Sequence, residues 1–98
     1  MVFTKHLREG IKRGRITNTI RFWMYPHVKV GGRYAMDEGH IVVDTIDTIK
    51  KKDITKKLAV ESGFKDVAHL LEFAKHGKGE NIYLIRFHYL RPGAWNTK

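Results

Sequence analysis

The chain has 98 residues, 42% apolar and 30% charged, a composition that folds as one globular domain over 1–98 rather than as a disordered segment. It has no cysteine, which excludes disulfides, thiolate zinc clusters and cysteine nucleophiles. The formal net charge is +9, and residues 1–36 carry Lys5, Arg8, Lys12, Arg13, Arg15, Arg21, Lys29 and Arg33 against Glu9 alone, an asymmetry that points to a polyanionic partner, with RNA or DNA ahead of a membrane surface.

Residues 3–14 (FTKHLREGIKRG) place Phe3, Leu7 and Ile11 at four-residue spacing, the stripe of an amphipathic helix that Gly14 closes. Thr17–Trp23 reads as the first strand. At period two, Ile16, Asn18, Ile20, Phe22 and Met24 share a core-facing side, and Thr17, Thr19, Arg21 and Trp23 share the other. Pro26 and Gly31-Gly32 punctuate the loop that follows. Arg33–Met36 is a short strand, Asp37-Glu38-Gly39 a turn, and residues 40–49 a longer strand. Ile41, Val43 and Ile46 do not share one parity in that strand, and a bulge near Asp44 reconciles them. Asp53 is the expected N-cap of a helix over 54–62 that Gly63 ends. Asp66 caps a second helix, with Val67, Leu70, Leu71 and Ala74 inward and Gly77 as its stop. In the last strand, Asn81–Leu90, Tyr83, Ile85, Phe87 and Tyr89 lie on one side. These are too few helices for a doubly wound parallel sheet. The expected class is α+β, mainly β: a small, partly open barrel with an N-terminal helix and a two-helix insert before the last strand.

Several of these segments together are similar to a known family. Gly14-Arg15-Ile16-Thr17-Asn18-Thr19-Ile20-Arg21 resembles the ASCH signature, roughly G-x-K-x-x-T-x-R. Gly32-Arg33 stands where members open a barrel strand, and Leu58-Ala59-Val60-Glu61-Ser62-Gly63-Phe64 resembles their L-A-x-x-E-G-F helix. With the aromatic strand IYLIRFHYL, the resemblance to the ASCH domain family of PUA-like barrels, in its small bacterial single-domain form, covers nearly the whole chain. It implies a cleft between the signature strand and the helical insert, and a role with RNA or nucleotides. Some members remove acyl groups from N4-acylated cytidine with a Lys, a Thr and a Glu, and ribonuclease activity is also associated with the family. Here the Thr is Thr19 and the Arg is Arg21, while the Lys position holds Ile16 and the Glu position holds Ser62, with Glu61 one place earlier. Arg15 does not replace the missing base, because a guanidinium keeps its proton at neutral pH.

The candidate catalytic set is therefore Thr19, Arg21, Ser62 and Glu61. The candidate RNA-binding set is Arg13, Arg15, Thr17, Thr19, Arg21, Trp23, Tyr25, His27, Lys29 and Arg33, in which cations that hold phosphates alternate with rings that stack bases. Tyr25, beside Pro26 in a loop, is the better placed ring. No histidine pair has metal-ligand spacing with a carboxylate between, so neither metal nor cofactor is expected. The N-terminus has no signal-like apolar stretch and no apolar run reaches membrane-spanning length. The leading expectation is a cytoplasmic, non-membrane module, monomeric or weakly dimeric, that binds single-stranded RNA or a nucleotide in a basic cleft. A ribonuclease-like phosphodiesterase in the same cleft is the alternative, and an N4-acylcytidine amidohydrolase comes after it.

Overall fold

The computed structural model describes residues 3–74 and 80–92, so His76 and the expected helix stop at Gly77 lie outside the described residues. The elements run α1 (Lys5–Lys12), β1 (Asn18–Trp23), β2 (Arg33–Met36), β3 (Gly39–Ile49), a 3-10 turn (Lys51–Asp53), α2 (Lys56–Glu61), α3 (Val67–Ala74) and β4 (Asn81–Leu90). The four strands form one antiparallel sheet in the order β1-β4-β3-β2, curled into a half-barrel. This is the α+β, mainly stranded architecture that the element order implies.

β4 lies in the interior of the sheet, between β1 and β3, and both of its faces are covered over Ile82, Tyr83, Leu84 and Ile85, while Arg86 and His88 beyond them are exposed. Tyr83, Ile85 and Phe87 face one core with Phe3, Leu7 and Ile11 of the α1 segment and Ile41 and Val43 of β3. Ile82 and Leu84 face a second core with Ile20, Ile54, Ala59, Leu70 and Ala74. The unbroken apolar run from Ile82 to Ile85 follows from burial on both sides. α1 is only eight residues long and would not hold alone. Each buried Leu or Ile of its stripe contributes about 1.5–3 kcal/mol relative to exposure, which is enough to fix it on the sheet.

Val43 pairs with Phe87 and Thr45 with Arg86, leaving Asp44 as the extra residue of a bulge. Before the bulge Ile41 and Val43 face the α1 core. After it Ile46 packs on that core while Ile49 packs on the helical one. The hairpin from β2 to β3 turns through Asp37, which has φ 53, and Glu38. Lys12 Nζ lies 2.8 Å from Asp37 and 2.9 Å from Glu38, and Arg8 lies 3.3 Å from Asp37, so α1 grips this turn.

α2 starts later than the sequence suggests. Asp53 turns its carboxylate back to the Lys50 N–H at 2.9 Å and closes the 3-10 turn. Ile54 stays extended and buried, and Thr55 becomes the cap, its hydroxyl accepting from the Leu58 N–H at 3.2 Å. The reason is that Ile54 must reach the helical core before the chain can coil. Asp66 does cap α3, accepting from the His69 N–H at 2.8 Å.

Candidate functional site

β1 is an edge strand with two covered faces. Ile20 and Phe22 pack toward α2 and α3, and the row Thr19, Arg21 and Trp23 faces the α1 side. Beside this strand lies a cleft of about 260 Å³. Phe3, Thr4 and Leu7 wall it on one side and Leu70, Phe73 and Ala74 on the other, with Thr19 and Arg21 at its base. Phe64 lines it too, and this ring packs on both cores, wrapping around the strand edge.

The Arg21 Nε–H donates to Thr19 Oγ1 at 3.0 Å, and the guanidinium lies 5.0 Å over the centre of the Phe3 ring. The bond and the ring fix the fork in one orientation. Burial lowers the Arg21 pKa from its ordinary value, but a guanidinium remains a cation at neutral pH. Among the described residues, Arg21 is the cation lining this apolar, aromatic-walled recess, where charge-assisted bonds are stronger than in water.

The other expected site residues are spread over the surface. Thr17 is exposed and ties β1 into its surroundings, its N–H donating to Glu61 O at 3.3 Å and its carbonyl accepting from the Phe87 N–H at 3.0 Å. Trp23 stacks on His27 with centroids 4.4 Å apart and planes within 2°, and it leans on Tyr83. Tyr25, 68% exposed, is tilted against His27, with ring centroids 5.4 Å apart. Arg33 belongs to β2, the opposite edge of the sheet, and Lys29 is exposed in the loop between. Arg13 is 3.8 Å from Glu9, and Arg15 lines a different groove.

Ser62 and Glu61 meet at Asn18 rather than in the cleft. Ser62 is 2% exposed, and its one hydroxyl proton is within reach of two acceptors, the Asn18 side-chain carbonyl and Leu58 O. The Asn18 amide in turn donates to Glu61 Oε1 at 3.2 Å. Asn18 is fully buried, and this network fastens α2 to β1. Ile16, where the ASCH signature has a lysine, packs close to Gly10 and Gly63 and also lies outside the cleft.

Sequence reasoning did not pick out Phe3, Phe64 and Phe73 as cleft walls. Phe73 left a trace: it falls off the inward stripe of α3 and is 46% exposed. Among the described residues, no three His, Asp or Glu side chains are grouped to hold a metal ion, and no helix is long and apolar enough to cross a membrane. No family model, curated protein or solved structure matches the chain in comparisons with known proteins.

Proposed function

We propose that this protein is a nucleotide- or RNA-binding module whose cleft beside β1 takes a single nucleotide unit or a strand end. The observation that carries the reading is Arg21, oriented by Thr19 and Phe3 at the base of an aromatic-walled recess. Phosphate meets the guanidinium fork, and the base meets the Phe64 and Phe73 walls. A volume of about 260 Å³ suits one nucleoside-sized ligand and is too small for a folded RNA. The Trp23–His27–Tyr25 group, at the far end of β1, gives a second ring surface for an unpaired base. The resemblance of Gly14–Arg21 to the ASCH signature supports the same class of partner.

Binding is favoured over hydrolysis by the chemistry of the lining. The described residues around the cleft include no imidazole, carboxylate or amine, so Thr19 has an arginine rather than a base beside it.

Fluorescence anisotropy with a labelled single-stranded RNA, and calorimetry with nucleoside monophosphates, test the reading. Arg21→Ala is expected to weaken binding about tenfold or more, the loss of one charge-assisted contact. RNA affinity is expected to fall steeply between about 50 and 200 mM salt. Affinity untouched by Arg21→Ala in a folded variant rejects the cleft as the site.

A further inference from the structure

A second groove, of about 460 Å³, opens on the other side of Phe64. It lies between α1, the turn after it, the end of α2 and the start of α3. Four basic side chains line it, from four different segments: His6, Arg15, Lys65 and His69. Among the described residues, no carboxylate lines it. The nearby acids are engaged elsewhere: Asp66 Oδ1 accepts from the His69 N–H, Glu61 accepts from Asn18, and Glu9 is near Arg13.

The groove has a shaped floor. Gly10 and Gly63 form part of it, and a Cβ added at either would come within 2.6 or 2.8 Å of Ile16 Cδ1. Ile16, Val60 and Phe64 supply apolar lining. One basic group is held in place. His69 Nδ1 accepts the Lys65 N–H at 3.1 Å, and the ring stands edge-on to Phe64 with centroids 5.1 Å apart. A ring nitrogen that accepts in this way leaves Nε2 as the side that donates.

We infer that this groove is a binding site for a phosphomonoester. The Arg15 fork and the Lys65 ammonium match the charge of a phosphate, and the His69 Nε2–H and the His6 ring match its oxygens. The volume exceeds what inorganic phosphate fills, and the apolar lining receives the organic substituent. This site is distinct from the Arg21 cleft, and its test changes no residue of that cleft.

The test is an amide NMR titration of the full chain with inorganic phosphate and with phenyl phosphate, against chloride at equal ionic strength. Saturable shifts are expected at the amides of Lys65 and His69 and near Arg15, with phenyl phosphate binding more tightly than inorganic phosphate. Arg15→Gln with Lys65→Gln, both exposed positions, is expected to weaken binding about tenfold or more with the fold intact. His69→Gln, a single exposed change, is expected to weaken it severalfold and serves if the double variant does not fold. A 5′-phosphorylated trinucleotide that shifts the same amides, when its 5′-hydroxyl counterpart does not, identifies a strand end as the source of the phosphate. Shifts with phenyl phosphate but not with the trinucleotide identify a free phosphomonoester. Shifts that do not saturate, that chloride reproduces, or that persist unchanged in the folded variants overturn the site.

Discussion

Gly63→Ala is the substitution that most directly probes how the two proposed ligand surfaces are built. Gly63 has φ +96, in the region where a Cβ meets the following carbonyl, and this costs about 1–2 kcal/mol for a residue other than glycine. The new Cβ also lies 2.5 Å from Leu7 Cδ2 and 2.8 Å from Ile16 Cδ1. Overpacking of this kind costs about 1–3 kcal/mol. The reduced freedom of the unfolded chain returns about 0.4–1 kcal/mol. The net expectation is about 1–4.5 kcal/mol, or roughly 5–35 °C in Tm for a domain of this size. Urea denaturation followed by circular dichroism measures it. Adding Ile16→Val removes the Cδ1 contact but leaves Leu7 and the backbone strain, so recovery is expected to be less than half. Because Phe64 follows directly and lines both the cleft and the groove, the surviving folded protein is expected to bind ligands at both surfaces more weakly. A Gly63→Ala variant within about 0.5 kcal/mol of the parent refutes the reasoning, since surface substitutions alone stay in that range.

Asn18→Ala is expected to cost about 1–3 kcal/mol in urea denaturation, since it removes the Asn18 partner of the buried Ser62 hydroxyl and of Glu61. Hydrogen bonding to Lys12 holds the Asp37 and Glu38 carboxyls below their ordinary values. A pKa lower in the folded than in the unfolded state gives stability that is full above the ordinary carboxylate range and is lost as pH falls through the folded values. The urea midpoint is therefore expected to drop between about pH 5 and pH 3, and to drop less in Lys12→Met. An equal drop in both proteins assigns the acid sensitivity to other groups.

Much of this molecule is written in contacts between near neighbours, and those features are legible in the sequence. The Phe3–Leu7–Ile11 stripe, the Asp66 cap and the Tyr83–Ile85–Phe87 side of β4 each follow from the spacing of residues a few positions apart. The bulge at Asp44 is legible for the same reason: a parity break between Val43 and Ile46 has few other solutions on a two-faced sheet. Thr55, rather than Asp53, caps α2 because burial of Ile54 overrides local preference, and burial is a property of the whole fold. The charge of the first 36 residues is likewise redistributed by folding. Arg8 and Lys12 face a basic segment in sequence, but in space they close on Asp37 and Glu38. Asn18 reads as an oddity on a core-facing row until Ser62, 44 positions away, arrives beside it. The same holds for the row that ends in Arg21. Period two assigns it to one side of a strand, but only the packing of α1 and α3 around an edge strand, with Phe64 bridging both cores, makes that side the base of a cleft. Local sequence determined the elements and their faces, because backbone geometry and hydrophobic spacing act over a few residues. The tertiary structure decided which polar groups are buried, paired or gathered into a site, because those choices are made by partners that only the folded chain brings together.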